Sequence, residues 1–203
     1  MTRAAILDSA ITLAAANGLE GLTIGSLAER MQMSKSGVYA HCGSREELQI
    51  AVLREYERRF IATVLVPSID VPRGLARLCA IFEQWLQLTV TEAQSGCIMV
   101  SGAVEYDDRP GAIRDELVRM VRSWQAELTR AIEQVVAVGE MPADTDASAL
   151  VFELQGIVLS LHHDARLLGN SRSLDHARGA FRRLVTSYRA VAEHRQSVAS
   201  RAG

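Results

Sequence analysis

Residues 22–48 read LTIGSLAERMQMSKSGVYAHCGSREEL, and the spacing within them decides the fold. Ile24, Leu27, Ala28 and Met31 fall at i, i+3, i+4 and i+7, one apolar stripe of a helix over 24–31. Thr23 stands where such a helix wants its N-cap. After a break of two or three residues, Ser34 caps a third helix, with Met33 before the cap and Val38 inside it as a hydrophobic staple. Gly43 stops that helix, and Ser44 with Glu47 forms the S-x-x-E box that opens a fourth. Upstream, residues 3–17 place Ile6, Ala10, Leu13 and Ala14 on one face and end at Asn17-Gly18, where glycine suits a left-handed cap. Three helices of about 15, 8 and 7 residues are too short to be stable singly. They must pack on one another, which predicts a trihelical helix-turn-helix module.

Around this stretch the bulk charge is uninformative. The 203 residues carry a net charge of −2 and are 48% apolar, which suits a folded chain with a sizeable core. A nucleic-acid surface must therefore come from local patterning. From Thr23 to Arg45 the charges are Arg30, Lys35 and Arg45 against Glu29, and Lys35 is the only lysine in the chain. Cysteines at 42, 79 and 97 have no CxxC spacing and are odd in number, which argues against a disulfide framework. No apolar run reaches the roughly 18 residues of a membrane helix. The opening MTRAAILDSAITLAAANG reads as an amphipathic helix and not as a leader. A reducing cytoplasm is the expected location.

Beyond residue 65 the helices lengthen. Prolines in VPSIDVP (66–72), DDRPG (107–111) and GEMPAD (139–144) mark breaks, and the apolar period between them is helical. Residues 73–91 carry Leu75, Leu78, Cys79, Phe82, Leu86 and Val90. The run SGCIMVSGAVEY (95–106) fits a strand or a buried helix, and with no strand partner elsewhere it is expected to be helical. A long helix over 112–138 points Ile113, Leu117, Met120, Val121, Trp124, Leu128, Ile132 and Val135 inward. Residues 147–169 are apolar almost all round, with a stripe of Leu150, Leu154, Ile157, Leu161, Ala165 and Leu168. The last helix repeats this with Leu174, Ala177, Phe181, Leu184, Tyr188 and Val191, before a tail SVASRAG (197–203). The expected fold is all-α with about nine helices. A helix-turn-helix domain over 1–50 is followed by a connecting helix 45–65, and residues 51–203 form a larger helical domain for ligand binding and dimerisation.

A short helix capped at its start suits the major groove, where its first residues reach base edges. Lys35 at the first position can meet a phosphate or a guanine edge. Ser34 holds the helix start, and Ser36 and Gly37 let the backbone come close. Tyr39 and His41 can each donate to phosphate, Arg45 opens the next helix beside the same strand, and Thr23 brings a hydroxyl and first-turn amides. Tyr39 fits equally well as a core aromatic with a satisfied hydroxyl, and the alternative for His41 is likewise structural. Cys42 reads as a small buried filler. Side chains adjacent on a helix diverge by about 100°, so His41 and Cys42 cannot face each other as a catalytic pair.

The stretch also resembles the N-terminal domain of TetR-type bacterial regulators over residues 3–53. The likeness rests on a helix ending Asn-Gly, a Leu-Thr opening, Leu-Ala in the second helix, Ser-Lys, Tyr-x-His, and Ser-Arg-Glu-Glu-Leu. The family's usual Phe after the His is Cys42 here, its usual Lys after the capping Ser is Arg45, and Ala40 replaces a longer side chain that contacts bases or backbone. At Ala40 direct readout shrinks to a thymine methyl contact. GCIMVSGAVEYDDRPGAIRDEL (96–117) looks like one branch of TetR C-terminal domains. The resemblance implies about nine helices, dimerisation through the last two, and repression of a palindromic operator relieved by a small ligand.

An effector site among the fifth to eighth helices would draw on Phe82, Trp85, Met99, Trp124, Phe152, Gln155, Leu159 and His162. The expected dimer contact comprises Leu150, Leu154, Ile157, Leu161, Leu174, Phe181, Leu184 and Tyr188. His162, His163 and Asp164 lack the i, i+4 spacing of a metal pair, and no metal or cofactor is expected. Glu105, Asp107 and Asp108 read as solvated acids at a helix end. The chain has no Gly-rich phosphate loop, G-x-S-x-G elbow or spaced His/Glu ligands, so an enzyme is not expected. The alternative is a DNA-binding regulator that answers to a protein partner or to no effector.

Overall fold

The computed structural model describes residues 2–199, with side chains described for residues 2–188. The side chain of Val191 and residues 200–203 of the expected tail lie outside the described part. Among the described residues there are nine α-helices and no strand. They are α1 (Arg3–Gly21), α2 (Ile24–Met31), α3 (Lys35–Cys42), α4 (Arg45–Val64), α5 (Leu75–Ser95), α6 (Ile98–Tyr106), α7 (Ala112–Ala137), α8 (Ala147–Arg166) and α9 (Ser173–Ala199), with one 3-10 turn over Val66–Ser68. The ambiguous run 95–106 is helical, as α6. The chain forms two compact units, Met1–Ala62 with Glu92–Arg122, and Thr63–Thr91 with Ser123–Gly203.

In the first unit the helix-turn-helix does not have a core to itself. Ile6, Ala10, Leu13, Leu19, Leu27, Val38, Leu48 and Leu53 pack in one cluster with Ile98 and Tyr106 of α6 and Leu117 and Met120 of α7. Each large aliphatic side chain buried here stabilises the unit by about 1.5–3 kcal/mol. Two glycines let α6 close on α1. Gly18 has φ +77°, the positive value expected of it, but ψ 168° in place of the left-handed cap. The chain therefore kinks and resumes a last turn up to Gly21, where a Cβ on Gly18 would strike the Glu105 carboxylate. Gly96, with φ +110°, brings the α5–α6 turn onto α1 so closely that a Cβ would lie 1.7 Å from the Ala15 carbonyl oxygen.

The second unit is organised around rings. Phe82 stacks on Phe181 at 4.2 Å and meets Trp85 edge-on at 6.1 Å, and Trp85 meets Trp124 edge-on at 5.0 Å. Asp146 caps α8, accepting from the amides of Ser148 and Ala149 at 2.9 and 3.0 Å. Asp164 closes the α8–α9 connection by accepting from Asn170 Nδ2 at 2.7 Å and Ser173 Oγ at 2.8 Å.

Candidate nucleic-acid interface

Local hydrogen bonds build the presenting helix. Ser34 Oγ accepts from the Gly37 amide at 3.1 Å, and α3 ends with the Gly43 amide bonded to the Tyr39 carbonyl. Ser44 and Glu47 form the expected reciprocal box at the head of α4, at 2.7 and 3.2 Å. Thr23 caps α2, and here the structure adds a residue: Ser26 returns a bond to the Thr23 amide at 3.0 Å while its own amide donates to Thr23 Oγ1 at 2.9 Å. Gln32, in the left-handed conformation, makes the tight turn from α2 to α3.

Only Val38 of α3 is fully buried, so the helix is held by its caps and one anchor. Lys35, Ser36, Tyr39, Ala40 and His41 are exposed. Tyr39, at 60% exposure, is not a core aromatic. Cys42 is half-buried against the core, and burial pushes its thiol up, as suits a filler and not a nucleophile. Lys35 lies across Gly25: a Cβ there would sit 3.5 Å from Lys35 Cε and 3.9 Å from Nζ. The ammonium thus shares the start of α2 with Thr23. Ser36 Oγ bonds Ser34 Oγ at 3.1 Å.

Arg45 is bonded within the protein. Its Nε donates to the Leu22 carbonyl at 3.1 Å, and Nη2 donates to the Glu20 carbonyl and pairs with Glu20 Oε2 at 3.1 Å. The physical reason is that the last turn of α1 leaves carbonyls without helical partners, and a guanidinium satisfies them. Glu105 is also engaged and not merely solvated: its Oε2 accepts from the Glu20 amide at 2.9 Å, whereas Asp107 and Asp108 are exposed. No local sequence pattern could signal this bond across 85 residues.

The residues expected to hold an effector fall in both units. Met99 packs on the core of the first unit. Phe82, Trp85 and Trp124 belong to the ring cluster of the second, and Gln155 Oε1 accepts from Gln125 Nε2 at 2.9 Å. His162 is buried, and among the described residues its Nε2 has no hydrogen-bond partner. Phe152 and Leu159 are 78% and 55% exposed. The residues of the expected dimer contact all lie in the second unit and differ in burial. Leu150, Leu154, Leu161 and Phe181 are buried within their own chain. Ile157, Leu174 and Leu184 are half-buried, and Tyr188 donates to Glu153 Oε2 at 3.1 Å. A helix apolar all round does not declare in its sequence which stripe its own chain covers. Among the described residues no cluster of three or more His, Cys, Asp or Glu could hold a metal, and no helix is long and apolar enough to cross a membrane.

Comparison with known proteins agrees with this arrangement. No curated protein matches the sequence. Among solved structures, a regulator from Rhodococcus sp. assigned to the TetR family is 25% identical, covering 90% of this chain and 97% of its own, with a TM-score of 0.70. AibR, solved with isovaleryl coenzyme A and operator DNA, is 21% identical over 92% and 98%, with a TM-score of 0.69. A regulator from Saccharomonospora viridis solved with choline is 18% identical over 91% and 95%, at 0.73. The last two likenesses show the fold alone. The pattern of bacterial regulatory proteins of the tetR family matches residues 6–52, and that of the tetracyclin repressor-like C-terminal domain matches residues 74–181. With both patterns matched, the C-terminal one over more than half of the chain, this chain belongs to the TetR family of transcriptional regulators.

Proposed function

We propose that the protein is a homodimeric repressor that binds a palindromic DNA site and is released from it by a small-molecule effector. Residues 1–50 would read the DNA, α4 would connect, and residues 51–203 would bind the effector and the second copy. The observation that carries the DNA contact is the exposed stripe Lys35, Ser36, Tyr39, Ala40 and His41 on a helix fixed at both ends by caps. A helix so presented fits the major groove, with the Thr23 hydroxyl and Lys35 toward the phosphates. Two copies of α3 must then stand about one helical turn apart, roughly 34–36 Å.

An effector is supported by the ring cluster of the second unit and by His162, whose buried Nε2 leaves one hydrogen-bonding position open. AibR and the Saccharomonospora viridis regulator are both solved with small ligands, which fits this use of the fold. Binding of such a ligand shifts the dimer between two arrangements only by its differential affinity for them, several kcal/mol for near-complete release. The second copy is supported by Phe152, Gly156 and Leu159, an exposed small-between-large stripe along α8. The test is selection of bound duplexes from random sequence, followed by a screen for compounds that release the enriched site. Enrichment of a palindrome is expected, and a selection that enriches none would overturn the reading.

A further inference from the structure

Among the described residues, Arg45 is the only basic residue of the expected DNA contact with a hydrogen bond or ion pair to protein, and what ties it lies at a junction of three helices. Glu20, in the last turn of α1, is the shared acceptor. Its Oε2 pairs with Arg45 of α4 at 3.1 Å. Its Oε1 accepts from the Tyr106 hydroxyl of α6 at 2.7 Å and pairs with Arg109 at 3.3 Å. Gln49 of α4, itself buried, donates to the Leu19 carbonyl at 2.5 Å and reaches the Tyr106 oxygen at 3.4 Å. The end of α6 thus grips the end of α1 and the start of α4 together. The carboxyl of Glu20 is held below its ordinary range, chiefly by the Tyr106 bond and then by Arg45, and so stays charged. Burial and the bond to Glu20 push the Tyr106 phenol up to about 12, so it stays a donor.

We propose that Glu20 and Tyr106 are positioning residues for DNA binding, which between them decide whether Arg45 reaches a phosphate. Both partners of the Arg45–Glu20 pair are more than 40% exposed, and such a pair is weak enough for a DNA phosphate to compete with it, at the further cost of the Arg45 bonds to the Leu22 and Glu20 carbonyls. With Tyr106 and Arg109 in place, Glu20 keeps two partners when Arg45 swings away. Without Tyr106, its charge is left to Arg45 and Arg109 alone, and the Arg45 guanidinium is held more firmly on the protein. The end of α6 therefore sets the number of phosphates neutralised, while the helix that reads bases is untouched. This rests on the reading that α3 and the start of α4 face DNA.

The experiment measures the dependence of log Kd on log salt for the full-length protein and the duplex enriched in the selection above. Each lost phosphate contact lowers the slope by about 0.9. Tyr106→Phe is expected to lower it by one such step, and Glu20→Gln added to Tyr106→Phe is expected to restore it. Arg45→Ala should lower it by one step and make it indifferent to the other two changes. A merely structural tyrosine would not be rescued by removing a second hydrogen-bonding group. A slope unchanged by Tyr106→Phe, or a loss that Glu20→Gln does not restore, overturns the proposal. Lys35→Ala separates the two levels. If it leaves the slope unchanged, the interface itself is wrongly placed and the proposal falls with it. If it lowers the slope while the Arg45 set stays flat, the roles given to Glu20 and Tyr106 fail and the interface stands.

Discussion

A buried imidazole nitrogen without a partner costs about 1–3 kcal/mol, and His162 Nε2 is in that position among the described residues. Burial lowers the affinity of this side chain for a proton, and the neighbouring Arg166 and His163 add to the effect. The sign follows from linkage. Above the ordinary histidine value of about 6.5 the ring is neutral in both folded and unfolded chains. As pH falls through that value the unfolded chain takes up the proton first, so stability declines with acid. His162→Leu is therefore expected to raise the urea midpoint at pH 7.5 and to flatten the loss of stability between about pH 7 and 5. Urea unfolding at a series of pH values measures both. A lower midpoint for the variant at pH 7.5 would mean that the ring is already satisfied in the free protein. Sequence alone could nominate His162 as a polar group on an apolar helix. That its Nε2 finds no partner is a property of the packed unit.

At the scale of the element, what the sequence disclosed is what acts over three or four residues. The caps of α2, α3 and α4 are i to i+3 bonds, so Thr23, Ser34 and Ser44 with Glu47 could be placed from spacing. The seat of α6 on α1 was not legible, because its determinants are a carboxylate 85 residues from the amide it accepts and a glycine whose neighbour is a distant backbone. Gly96 tests that seat. An alanine there would meet the Ala15 carbonyl at 1.7 Å and would also be forced to φ +110°. Strain and overpacking together predict a loss of at least about 2 kcal/mol for Gly96→Ala. In equilibrium urea unfolding, a loss under about half of that would show that the turn lifts off α1 freely and that α6 is not seated through it.

For the molecule as a whole the all-α class and the helix-turn-helix were legible, whereas which stripe of α8 its own chain buries was not. Leu150, Leu154 and Leu161 read as an interface because their spacing is regular, yet they are buried inside one chain. The large apolar side chains that α8 leaves exposed are Phe152 and Leu159, and the dimer proposed above would use them. Phe152→Glu changes a side chain that is 78% exposed, so the folding stability of the protomer should move by no more than about 0.5 kcal/mol. In an isologous contact the same position meets the two-fold axis from both sides, so one substitution sets two carboxylates in an apolar interface. Sedimentation of Phe152→Glu should show a monomer. Its affinity for a palindrome should fall by a factor of 10² or more, since two linked half-sites supply on the order of 10²–10⁴ over one. Leu154→Ala supplies the contrast: it should lower protomer stability by about 2–5 kcal/mol through a cavity in the chain's own core. A dimer that survives Phe152→Glu while Leu154→Ala leaves the protomer's stability intact would return the interface to the stripe read from the sequence.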